Sequence, residues 1–189
     1  MNDNDLAKFK GIIHSGGATG ADQAFGDIGI FYGYKVIHHI FKGYEIHGAG
    51  IPMIHTKMDM DVASAPLRKA SIALMRPYPP ATEYEHMLLV RDHFQVKDSD
   101  FIIAIAPFAK ENIVSGGTGW TVQMAVDLKR TVYVYDDCQT YKWYTSENGS
   151  GFTSFAGSIP NTGVFAGVGS RKISLRGRSE IQRLLSIDG

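Results

Sequence analysis

One theme recurs three times in this chain and constrains its fold more than any other feature. A β-prone run leads into a glycine-rich turn, and in the first two instances a helical segment follows directly. The first instance is His14-Ser15-Gly16-Gly17-Ala18-Thr19-Gly20-Ala21-Asp22, after the strand-like run 11–14. The second is Ser115-Gly116-Gly117-Thr118-Gly119-Trp120-Thr121, between the runs 101–106 and 131–135. A shorter form, Ala166-Gly167-Val168-Gly169-Ser170-Arg171, follows the candidate strand 164–166. Paired glycines let the chain turn tightly and let a ligand approach the backbone without a Cβ in the way. The helix that follows offers unpaired N–H groups and a partial positive charge, a natural seat for phosphate.

The remaining pattern fits an alternation of strand and helix. Residues 34–40 and 131–135 are β-rich, and 101–106 is apolar on both faces, as a central covered strand requires. Helices are expected over 20–31, 118–130 and a closing segment to Leu185, with Ile181, Leu184 and Leu185 on one face. Thr82 and Glu85 read as a capping box opening a helix to about residue 96. Its stripe is Tyr84, Met87, Leu88, Arg91 and Phe94. A helix over 64–75 places Pro66 in its first turn, where proline is tolerated. The expected fold class is α/β: one domain over 1–189, with a mostly parallel sheet, helices on both faces and about ten disordered N-terminal residues. Residues 41–80 and 136–162 yield no secure elements otherwise.

Composition narrows the function classes. The chain has 19 basic and 19 acidic residues, so its formal charge is zero, which disfavours a duplex nucleic-acid partner and a single-strand binder alike. The sole cysteine, Cys138, excludes an intrachain disulfide and a cysteine-rich zinc site. The polar, acidic start and the lack of a bilayer-length apolar run point to a cytoplasmic protein without a membrane partner. The seven histidines show no ligand spacing such as His-Glu-x-x-His, so no metal site is expected. His38 and His39, adjacent on a strand, should face opposite ways. Asp59 and Asp61, if on a strand, would share a face but lack further calcium ligands.

Neither glycine turn is a Walker loop or a dinucleotide fingerprint, since the following Lys-Ser/Thr and the glycine spacing are both missing. The segments 15–22 and 115–121 resemble the two glycine motifs of the SLOG superfamily, which includes molybdenum-carrier-like proteins, Lonely Guy phosphoribohydrolases and the DNA-processing protein A fold. Gly167-Val168-Gly169-Ser170-Arg171 is similar to a turn in some members, and Asp98-Ser99-Asp100 also matches. The resemblance implies a Rossmann-like fold that binds a nucleotide or nucleotide derivative, with no cofactor required.

One departure separates this chain from the hydrolases. Their second motif, Gly-Gly-x-Gly-Thr-x-x-Glu, carries a catalytic glutamate. Here Trp120 stands at the threonine position and Gln123 at the glutamate position. An amide cannot serve as a general acid or base near neutrality, though it can hydrogen-bond a ribose or base. The resemblance therefore implies binding more than catalysis.

The expected ligand-binding set is Ser15, Gly16, Gly17, Thr19, Gly20 and Asp22 from the first turn; Gly116, Gly117, Thr118, Gly119, Trp120, Thr121 and Gln123 from the second; and Gly169, Ser170 and Arg171 from the third. Asp22 is the candidate catalytic group, as a ribose contact or base, with helix capping as the plain alternative. Glu85 is the other carboxylate that could replace the lost glutamate. Arg171 heads a basic cluster and suits bidentate phosphate contact. Trp120 could stack on a base. The aromatics between 141 and 155 could form a lid, cover a sheet edge or make a subunit contact, which leaves a homodimer or higher homo-oligomer open. The two functions to distinguish are a sensor, carrier or sequestering binder and a phosphoribohydrolase-type enzyme.

Overall fold

A computed structural model describes residues 8–187. The expected disorder at the N-terminus falls largely on residues 1–7, outside the described residues; residues 8–10 form a turn, and Lys10 N–H donates to Gly33 O. The elements in chain order are β1 (Gly11–Ser15), α1 (Ala21–Phe31), β2 (Lys35–Phe41), β3 (Ile51–His55), α2 (Asp59–Leu74) and α3 (Glu83–Lys97). Then come β4 (Phe101–Ile105), β5 (Phe108–Lys110), β6 (Ile113–Val114), α4 (Thr118–Asp127) and β7 (Thr131–Tyr135). β8 (Trp143–Ser146), β9 (Thr153–Phe155), β10 (Gly163–Gly169) and α5 (Leu175–Ser186) complete the chain.

Eight strands form one sheet in the order β3-β2-β1-β10-β4-β7-β8-β9. The first six are parallel, and β8 and β9 add an antiparallel edge. Helices cover both faces, giving the expected Rossmann-like α/β fold. One core joins Leu67, Val90, Ile102 and Met124 beneath α2, α3 and α4. The other joins Ile13, Phe25, Phe165 and Leu185 beneath α1 and α5. β1 leads outward through β2 to β3, β4 leads the opposite way to β7, and β10 is inserted between them. Connections thus diverge on either side of β10, and such a divergence opens a crevice at the carboxyl ends of the strands.

The capping box of α3 is present in full: Thr82 Oγ1 accepts from Glu85 N–H, and the Glu85 carboxylate accepts from Thr82 N–H. Two expectations need correction. Pro66 lies well inside α2 rather than in its first turn, because the helix starts at Asp59. The Asp59 carboxylate accepts the Thr56 N–H at 2.7 Å and folds the chain into the helix earlier than the proline suggested. Asp59 and Asp61 accordingly sit in a helical first turn, where carboxylates complement the dipole, and not on a strand. The unassigned stretches hold β3, β8 and β9 as well as α2. Of the 141–155 aromatics, Trp143 and Tyr144 lie on β8 and Phe155 on β9, where they extend the sheet edge, while Tyr141 and Phe152 lie outside the strands; Trp143 Nε1 donates to Glu180 at 2.9 Å. Among the described residues no helix is long and apolar enough to cross a membrane.

Candidate functional site

The three glycine turns meet at the carboxyl end of the sheet around a cleft of about 500 Å³. The first and third are locked together backbone to backbone. Ala21 N–H donates to Ser170 O at 3.0 Å, and Ser170 N–H donates to Ile105 O at 2.9 Å. A Cβ on Gly20 would collide with the Ser170 and Arg171 carbonyl oxygens, and one on Gly169 with the Ile105 carbonyl. Gly119 faces the Val114 carbonyl in the same way. These glycines answer to packing.

Gly117 is different. Its backbone is ordinary right-handed helix, φ −61° and ψ −40°, and an added Cβ would meet nothing within 4 Å. Nothing in the fold demands glycine there, yet the residue is exposed and lines the cleft. It is the N-cap of α4, whose amino end receives no side-chain cap and has no acidic residue in its first turn. Gly116 beside it has φ +64°, which does favour glycine. Arg76 steadies this turn by donating to Gly116 O at 2.6 Å.

The floor of the cleft comes from α3. Arg91, 6% exposed, donates through Nη1 to Gly16 O and lies over the Tyr44 ring at 4.4 Å. Asp22 and Asp92, also buried, flank it electrostatically. The Asp92 carboxylate lies 3.6 Å from Arg91 Nε and accepts from Gln95 Nε2 at 3.2 Å. Asp22 accepts from Ala18 N–H at 3.3 Å. Gly16 is small so that this group can close: a Cβ would lie 2.7 Å from Asp22 Oδ2 and 2.9 Å from Arg91 Cζ. Burial pushes Asp22 up to about 6 and Asp92 up to about 7, with the Arg91 charge opposing in both cases. Near neutral pH both carboxyls can exchange a proton, which an ordinary surface carboxylate does poorly.

Of the expected residues, Asp22, Gly116, Gly117, Thr118, Trp120, Thr121, Gly169, Ser170 and Arg171 line the cleft, and so does Glu85. Ser15, Gly16, Gly17, Thr19, Gly20, Gly119 and Gln123 are not part of that lining. Ser15 is buried with its hydroxyl 3.5 Å from Asp22 O, and Gly17 (φ +63°) rests against the His38 ring. Thr19 is exposed. Gln123 donates to the Asp127 carboxylate at 3.0 Å, one helical turn along. Trp120 is 7% exposed and tilted against Tyr78, so little of the indole is open to a base.

Sequence reasoning missed Arg91, Asp92, Gln95 and Arg76 as site residues. A signal was present, since Arg91 falls on the apolar stripe of its helix, where a charge is costly unless it is paired. The cleft thus combines three guanidinium groups, an open helix start, several hydroxyls and two exchangeable carboxyls. That set can hold an anionic, hydroxyl-rich ligand. No protein-family model, curated protein or solved structure matches this chain.

Proposed function

We propose that this protein binds a phosphorylated nucleotide or nucleotide-derived small molecule, as a sensor, carrier or sequestering protein. Gly117 carries the reading: a glycine without a reason in the fold, at an uncapped helix start facing a cleft, leaves room for a ligand against the backbone. The phosphate lies at the amino end of α4, with Thr118, Thr121 and Arg171 around it. The sugar points toward Asp22, Arg91 and Asp92, whose carboxyls suit ribose hydroxyls. The SLOG resemblance agrees with this arrangement. A thermal-shift panel of nucleoside mono-, di- and triphosphates, cyclic nucleotides and ADP-ribose tests it. At about 100 times Kd, binding adds roughly 2.7 kcal/mol of stability and raises Tm by about 5–10 °C. No shift across the panel at millimolar ligand would refute the reading.

A second reading, hydrolysis of a nucleotide at its glycosidic bond, is favoured by one observation. Asp22 and Asp92 flank Arg91 with proton affinities raised toward neutrality, the kind of tuning that acid–base catalysis uses. Gln123, engaged with Asp127 outside the cleft lining, would have no part in such a step.

A further inference from the structure

A second group of chemically capable side chains lies under α3, outside the cleft lining. β1 and β2 pair in parallel with His14 opposite Ile37, so His14 and His39 present to the same face. Both are buried, at 5% and 0% exposure. His14 Nδ1 lies 2.7 Å from His39 Nε2, and His39 Nδ1 lies 2.8 Å from His55 Nε2. His55, at the end of β3, rests on the Phe94 ring at 4.2 Å and has Nδ1 3.8 Å from the Asp59 carboxylate. Asp98, exposed at the C-cap of α3, completes the group. One ligand atom each from His14, His39 and Asp98 lie within 4.8 Å of one another.

We propose that His14, His39 and Asp98 form a binding site for a divalent transition-metal ion of the zinc type. Two imidazoles and one carboxylate are a donor set that zinc and its first-row neighbours accept, whereas magnesium and calcium require oxygen ligands. The surroundings orient the ligands. When His39 donates its Nδ1–H to His55 Nε2, its own Nε2 lone pair is left for the ion, and the His55 Nδ1–H turns to Asp59. A ligating histidine held through its other nitrogen, with a carboxylate behind it, is the usual outer support of a metal site.

In the metal-free protein a single proton shared between His14 and His39 holds the place of the ion. Tetrahedral ligation at about 2.0–2.1 Å needs the two nitrogens roughly 3.3 Å apart, so metal entry parts the rings by about 0.6 Å. Asp98 is exposed, so the carboxylate ligand stands on the solvent side of the two buried imidazoles. The ion would tie β1 and β2 to the end of α3 and stabilise the folded chain by mass action. Sequence spacing could not reveal the site, because its ligands sit on three elements and only sheet register unites them.

The test uses tag-free full-length protein stripped with chelator, then titrated with Zn²⁺ and, separately, Mg²⁺ by calorimetry and thermal melting. The expected result is one equivalent of Zn²⁺ bound with a rise in Tm, and no response to Mg²⁺. Asp98→Asn, at an exposed position, should keep the metal-free Tm and weaken Zn²⁺ binding at least tenfold. His39→Asn should remove binding; if that variant does not fold, Asp98→Asn decides. Absence of Zn²⁺ binding by the wild type, or unchanged affinity in Asp98→Asn, would overturn the site. Neither outcome bears on nucleotide binding at the glycine cleft.

Discussion

Gly20 and Ser170 touch backbone to backbone: the Gly20 α-carbon has no room for a Cβ beside the Ser170 carbonyl, which accepts the N–H of Ala21. This contact fastens the first glycine turn to the third and fixes one wall of the cleft. Gly20 also has φ +87°, so alanine there is both strained and crowded. Gly20→Ala should destabilise the protein by about 2–3 kcal/mol or more, from left-handed strain plus a forced shift of the third turn. Chemical denaturation would read this directly. An unchanged midpoint would mean that the turns are not packed as described.

Asp92 and Asp22 give stability a pH dependence of defined sign. Each carboxyl holds its proton more tightly folded than unfolded, where its value is near 3.8. Their contribution is therefore full below about pH 4 and is lost as pH rises through about 6 for Asp22 and about 7 for Asp92. The loss is on the order of a few kcal/mol. Asp92→Asn, which cannot ionise, should gain Tm relative to wild type as pH rises from 4 to 8. A Tm difference that stays constant over that range would exclude titration of Asp92 there.

Much of this was legible in the sequence because it is local. The glycine turns, the Thr82–Glu85 box and the buried run of β4 each declare themselves within a few residues. β3 did not, because it is an exposed edge strand carrying Pro52 in a glycine- and proline-rich stretch, and edge strands tolerate such residues. β8 and β9 are too short to show alternation and owe their existence to tertiary pairing, β8 with β7 and β9 with β8. The Arg91–Asp92 floor needed tertiary information: in sequence, Arg91 was one member of an apolar stripe, and its partner Gly16 belongs to a distant turn.

Arg171 is exposed on the rim, so its removal should leave Tm unchanged. Arg171→Ala should weaken nucleotide binding by about tenfold, the low end of the roughly 1.5–3 kcal/mol for a charge-assisted contact. Calorimetry with the best nucleotide of the thermal-shift panel measures it. Full affinity without Arg171 would remove the third turn from the phosphate site.

Binding without turnover predicts that AMP incubated with the protein stays intact by chromatography. Release of free base that disappears in Asp92→Asn would favour the hydrolytic reading instead.

The most direct measurement compares Gly117→Ala with wild type by calorimetry. With φ −61° and open space around the Cβ, alanine meets neither strain nor crowding, and the roughly 0.4–1 kcal/mol it gains through the unfolded chain offsets the preference of an N-cap for glycine over alanine. A phosphate lying against that backbone would meet the new methyl. The expected result is a protein that melts close to the wild-type temperature and shows no detectable heat of nucleotide binding. A Gly117→Ala protein that binds nucleotide as tightly as wild type would contradict it.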